Sequence, residues 1–165
     1  MTNASSVGPT GVDSWLWSIQ VNPAANFVYV GDEGGGAQLY SFSLTAATGA
    51  LTQLGPQIVE TNSSDVRDIA HSPDGKFFYT PDDDEEVHAF SATTGLITEL
   101  SAYPYSSGGK GQIVADLTGK FVYMGDQENT GQVIGYTRDM TTGALTLIGG
   151  TTTANAKALA VAIVR

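Results

Sequence analysis

The chain contains no cysteine, which excludes disulfides, thiolate metal ligands and a cysteine nucleophile together. Histidine is nearly as scarce: His71 and His88 are the only two in 165 residues, so imidazole chemistry has few places to sit. Basic residues number 7 against 17 acids, for a formal net charge of −10. That balance makes neither nucleic acid nor an anionic membrane surface an expected partner, whereas a small neutral or cationic ligand is accommodated. No apolar run approaches the roughly 18 residues of a membrane span. The opening MTNASSVGPTG (1–11) has neither basic residues nor an apolar core, so no signal peptide is expected there and the compartment stays open. Helical spacing of apolar residues is absent over any useful length. No glycine-rich loop leads into a helix and no serine sits in a nucleophile elbow, which removes two further classes of chemistry.

Repetition is what the sequence has in abundance. NFVYV (26–30), DGKFFYT (74–80) and GKFVYM (119–124) are one phrase written three times. LYSFSL (39–44), VHAFSA (87–92) and VIGYTR (133–138) are a second, and TGALTQL (48–54), TGLITEL (94–100) and TGALTLI (142–148) a third. Phe27, Phe77 and Phe121 are 50 and 44 residues apart, and Gly49, Gly95 and Gly143 are 46 and 48 apart. A period of that size marks a repeat architecture. Each period holds four short runs of β-branched and aromatic residues, the first ending at a turn before Pro23, Pro73 or Thr118-Gly119. With 20 glycines and 15% charged residues, the composition suits an all-β chain rich in tight turns. Four strands per period, in tandem, is the blade of a β-propeller.

The turn Ser72-Pro73-Asp74-Gly75-Lys76 running into Phe77-Phe78-Tyr79, followed by Thr93-Thr94-Gly95 and Thr98, resembles the lactonase-type propeller family. That family includes relatives of 6-phosphogluconolactonase and of carboxymuconate cyclase. The resemblance covers about residues 18–164 and implies a ring of seven blades, lactone hydrolysis, and histidine, arginine and glutamate side chains on the channel face. A Pro-His pair at the head of an inner strand is common there. Here the equivalent stretches are Ser14-Trp15-Leu16-Trp17, Asp65-Val66-Arg67-Asp68 and Gly109-Lys110-Gly111-Gln112. None contains it, so no catalytic residue carries over by position.

The expected organisation is an N-terminal arm at 1–13 and a partial propeller at 14–165. Its blades lie at about 15–60, 66–106 and 111–152, with a closing strand at 158–164. Three blades cannot close a ring, because propellers need roughly four or more. Two apolar flanks would then stay open. A homodimer of about six blades, with strand 158–164 swapped between copies, solves that problem. A fragment of a longer propeller is the alternative.

Strand alternation puts the loops between second and third strands on the same face as the blade-to-blade connections. Those loops carry Asp32 and Glu33, then Asp82, Asp83, Asp84, Glu85 and Glu86, then Asp126 and Glu128, up to nine carboxylates. Such an arc suits a calcium ion, a hard cation that takes several oxygens; local amides provide the structural alternative. His71 replaces Val21 and Ala115 of the other blades on an inner strand, so it is expected to reach the channel or to serve in the barrel wall. Together with Arg67 and Asp68, or Asp65, it forms a candidate set for general-base hydrolysis. His88, in the place of Tyr40 and Ile134, is expected at the surface. Trp15, Trp17, Tyr103 and Tyr105 lie near blade junctions and are candidates for stacking on a ligand. Two functions follow as expectations: a lactone or ester hydrolase, or a non-catalytic propeller that binds a small ligand or a protein.

Overall fold

A computed structural model describes residues 15–33, 36–59, 65–84, 86–100, 105–106, 110–126, 132–148 and 152–153. The expected arm at 1–13 and closing strand at 158–164 lie outside these residues, as do Tyr103, Glu85 and Glu128. Among the described residues every regular element is a β-strand, and the strands form three antiparallel sheets. The first sheet is β1 (Trp15–Val21), β2 (Phe27–Glu33), β3 (Gln38–Thr45) and β4 (Ala50–Val59), in that order. The second is β5 (Ala70–His71), β6 (Phe77–Pro81) and β7 (Glu86–Ser91), with β8 (Thr98–Glu99) and β9 (Tyr105–Ser106) both paired to β7. The third is β10 (Ile113–Ala115), β11 (Phe121–Gly125) and β12 (Gln132–Arg138), with β13 (Leu145–Leu147) and β14 (Thr152–Thr153) both paired to β12. These are the three expected blades, and the chain is a β-propeller segment in architecture.

The first hairpin of each blade is closed by one polar side chain just after the inner strand. Asn22 Oδ1 accepts the amides of Asn26 and Phe27 at 3.0 and 2.9 Å. Ser72 Oγ accepts the Phe77 amide at 3.1 Å, and Asp116 Oδ1 accepts the Phe121 amide at 2.8 Å. Three different residue types thus do one job, which is to pair donors the turn would otherwise strand. The turn also needs one left-handed residue. Gly75 and Gly119 supply it at φ 69° and 73°, and Ala25 supplies it at 54°, at a cost of about 1 kcal/mol.

Period-two alternation gives each blade two apolar faces, because neighbouring blades cover both. The leading face of blade one, with Tyr29 and Leu39, packs on Ile69, Phe78, Phe90 and Ile97 of blade two. The leading face of blade two, with Phe77, Tyr79 and Val87, packs on Ile113, Val122, Met124, Tyr136 and Leu145 of blade three. Each fully buried aromatic contributes about 2 kcal/mol by leaving water. Hydrogen bonds fix the stagger: the Tyr79 hydroxyl donates to the Gly143 carbonyl at 2.9 Å, and the Tyr29 hydroxyl to the Ala92 carbonyl at 3.4 Å. Arg138 adds a second tie between blades two and three. It donates to the Gly119 carbonyl at 2.8 Å and to Asp74 at 2.7 Å, and lies 5.2 Å above the Phe77 ring.

Candidate functional site on the loop face

The second-to-third loops and the blade connections do share a face. Glu33 bridges to Asp65, the Val66 amide donates to the Asp32 carbonyl at 2.9 Å, and the Gly125 amide donates to the Gln112 carbonyl at 2.9 Å. The first aspartate of each loop, Asp32, Asp82 or Asp126, is wholly buried. Its place in the turn explains why. Asp32 Oδ1 accepts the Gln38 amide at 2.7 Å; Asp82 Oδ1 accepts those of Asp84 and Glu86, both at 2.9 Å. The expected arc of carboxylates is therefore not presented to solvent as one ring, since Asp32 and Asp82 accept amides of their own loops and Asp126 is buried like them.

Arg67 and Lys110 stand among the acids that remain. Arg67 Nε lies 3.1 Å from Asp65, its Nη2 hydrogen-bonds Asp83, and Lys110 Nζ lies 3.4 Å from Asp83. Glu86 is half-buried, and its pKa is raised by desolvation and then by the nearby Asp82 carboxylate. Asp84 is exposed and Glu33 half-buried.

His88 is not at the surface. Its side chain is 1% exposed, with Nε2 3.1 Å from Asp82 Oδ2 and Nδ1 3.1 Å from Glu99 Oε1. The repeat explains this burial. In blade one the same position holds Tyr40, whose hydroxyl donates to Asp32 Oδ2 at 3.3 Å. Both residues reach from the third strand to the buried loop aspartate. Setting the three blades in register, and asking which side chain could satisfy Asp82, would have found the pair.

Asp82, Glu86 and His88 offer one ligand atom each within 4.8 Å of one another. One nitrogen and two carboxylates fit a borderline cation better than calcium, which prefers all-oxygen sites. A cation there would compete with the amides of Asp84 and Glu86 for Asp82. Asp82 and His88 are both closed off from solvent, and Glu86 is half-buried.

Of the candidate hydrolytic set, Arg67 is paired with Asp65, and His71 stands apart from both. His71 pairs with Phe78 near the Pro-Asp-Gly turn, while the Arg67 amide donates to the Pro81 carbonyl at the opposite end of β6. Instead of facing the channel, the His71 ring lies in the junction between blades one and two, 5.0 Å from the Tyr29 ring and 5.5 Å from that of Phe78. Burial lowers its pKa to about 4, opposed by the Phe77 backbone. Asp68 is a clasp between blades: it accepts the Ile69 amide at 2.9 Å and the Ile113 amide at 3.0 Å. Burial raises its pKa, and those two amides oppose the rise.

Among the aromatic candidates, Tyr105 is a packing residue. It lies against the core between blades two and three, and its hydroxyl accepts the Leu145 amide at 2.9 Å. Trp15 and Trp17 are 78% and 52% exposed on β1, at the flank of blade one. A separate groove of about 400 Å³ opens on the turn face between blades one and two, lined by Asn22, Pro23, Asn26, Asp74, Lys76 and Thr93 among others.

Neither a family model nor a curated protein matches the sequence. Solved structures do. A putative 6-phosphogluconolactonase from Bacteroides fragilis superposes with a TM-score of 0.73 at 22% identity, over 86% of this chain and 40% of that one. The corresponding putative enzyme from Bacteroides uniformis gives 0.74 at 18% identity, over 91% and 45%. The fold is that of a β-propeller. Sqt1 of Saccharomyces cerevisiae also superposes, with a TM-score of 0.65 at 15% identity, over 87% and 37%. The propeller segment thus spans less than half the length of these structures. Similarity that reaches both lactonase-type proteins and Sqt1 concerns architecture; activity must be argued from side chains. No helix among the described residues is long and apolar enough to cross a membrane.

Proposed function

We propose that this propeller segment is a binding scaffold without hydrolytic chemistry. One observation carries the proposal: His71, Arg67 and Asp68 are each committed elsewhere. His71 is packed between rings, Arg67 is paired with Asp65 and Asp83, and Asp68 accepts two backbone amides. General-base catalysis needs its base within hydrogen-bond reach of the substrate proton. A histidine packed against Tyr29 and Phe78 in a blade junction, a strand length from the arginine, does not meet that requirement. The second reading, hydrolysis of a lactone or ester, draws on the likeness to the Bacteroides structures.

A panel of lactones and esters, assayed with and without divalent metal, separates the two. The expected result is no turnover above the buffer rate. Hydrolysis that disappears in His71→Ala, with the β-sheet circular dichroism retained, would overturn the scaffold proposal and restore the catalytic set.

A further inference from the structure

Backbone register shows which side chains of the blades are equivalent on the turn face. The Leu44 amide donates to the Asn26 carbonyl at 2.8 Å, the Ala92 amide to that of Lys76 at 2.9 Å, and the Arg138 amide to that of Lys120 at 2.8 Å. Leu44, Ala92 and Arg138 therefore hold one position, and only blade three places a cation there. At the junction of blades two and three that cation is part of the packing. The Arg138 side chain is fully buried. Its guanidinium lies 5.2 Å above the Phe77 ring and donates to the Gly119 carbonyl at 2.8 Å and to Asp74 at 2.7 Å. The fit is tight: an ideal Cβ on Gly119 would lie 2.9 Å from Arg138 Nη1 and 3.4 Å from Pro73.

The junction of blades one and two has the same walls. Phe27 stands for Phe77, Pro23 for Pro73, and Gly75 for Gly119, the two glycines sharing φ values of 69° and 73°. An ideal Cβ on Gly75 lies 3.7 Å from Pro23, and among the described residues only Pro23 comes within 4 Å of it. Ala92 ends in a methyl group where Arg138 carries its guanidinium. Beyond that methyl lies the groove of about 400 Å³, whose lining includes Pro23, Phe27, Asp74, Gly75, Ala92 and Thr93. Lys76 at its margin does not bar a cation. Lys120 holds the same place beside Arg138, and both lysines are exposed.

We infer that the groove between blades one and two binds the guanidinium group of a ligand, the group that Arg138 supplies from within at the next junction. The Phe27 ring takes the flat face of the cation, as Phe77 does for Arg138, and the Gly75 carbonyl takes the place of the Gly119 acceptor. A planar fork that both stacks and donates matches these walls better than a compact ammonium. The formal charge of −10 favours a cation over an anion or a neutral ligand. One wall differs, because Ala24 stands where blade two has Asp74. The Asp74 carboxylate, 27% exposed, lines the groove from the blade-two side instead. With that weaker pairing, a lone guanidinium is held on the order of millimolar. The groove lies on the face opposite the candidate hydrolytic loops, so the inference goes beyond the scaffold proposal and stands whether or not the chain hydrolyses anything.

The test titrates the full chain with N-acetylarginine amide and with its uncharged citrulline counterpart, read by calorimetry at low salt. Saturable binding of the arginine probe is expected, about tenfold tighter than that of citrulline. Ala24→Asp, at an exposed turn position, gives blade one the acid of blade two and is expected to tighten binding roughly fivefold. Ala92→Arg, which supplies the guanidinium from inside, is expected to abolish binding with the β-sheet circular dichroism retained. A peptide with one central arginine distinguishes the source of the group. Tighter binding than the amide assigns it to a protein chain, and equal binding to a free small molecule. The absence of saturable binding overturns the inference, as does citrulline binding equally well. So does an Ala24→Asp affinity no higher than that of the unmodified chain, or binding retained by folded Ala92→Arg.

Discussion

His71 makes the stability of this propeller segment depend on pH in a way one substitution can isolate. Its ring is wedged between Tyr29 and Phe78, and burial brings the pKa from 6.5 to about 4. The folded state thus resists the charge that the unfolded state accepts. For a histidine lowered by folding, the neutral form's advantage is complete above the unfolded pKa. It is lost as pH falls from 6.5 toward 4, because protons then bind preferentially to the unfolded chain. At about 1.36 kcal/mol per pH unit of difference, the whole effect is about 3 kcal/mol. About 2 kcal/mol of that is lost between roughly pH 7 and pH 5, where His71 is still neutral in the fold but mostly charged when unfolded. For a chain of this size that is a fall of roughly 4–8 °C in melting temperature. The assay is urea denaturation across this range for the unmodified chain and for His71→Phe, which keeps an aromatic ring in the junction and removes the titration. Carboxylates titrate in both proteins, so the difference between them isolates the imidazole. A difference that stays flat from pH 7 to pH 5 would refute the argument that burial in the blade junction holds this ring neutral.

Three further perturbations bear on other contacts. Gly143→Ala places a methyl group 2.5 Å from the Phe77 ring at a residue with φ 79°. Backbone strain and overpacking together should cost about 2–4 kcal/mol, read as a lower urea midpoint; an unchanged midpoint would show that the turn can move away. Arg138→Leu, which copies Leu44 at the same position of blade one, removes the bonds to Asp74 and the Gly119 carbonyl. It should lose about 2 kcal/mol, and a double-mutant cycle with Asp74→Ala should give a coupling of about 0.5–3 kcal/mol; simple additivity would argue against the tie. Millimolar calcium should leave the melting temperature unchanged, because both Asp82 oxygens are engaged by the Asp84 and Glu86 amides and by His88. A rise of several degrees would, by linkage, establish a calcium site.

The sequence by itself determined the blade. Alternation of Phe27 with Tyr29, Phe77 with Tyr79 and Phe121 with Tyr123, the recurrent Thr-Gly turns and the near-constant period are local properties of a chain that pairs with its own next strand. Local rules suffice to read them. Which acids face solvent was beyond those rules. Asp32 and Asp82 look like Asp83 and Asp84 in composition, yet they turn inward, each accepting backbone amides of its own loop. The partners of His88 and Arg138 likewise depend on which strand or blade comes to lie beside them. Asp82 is 6 residues from His88, but Asp74 is 64 from Arg138. His71 stands beside Phe78 and Arg67 beside Pro81, at opposite ends of β6, because an extended chain spreads its neighbours out rather than gathering them. A set of residues close in sequence is therefore not a site unless a turn folds it back on itself.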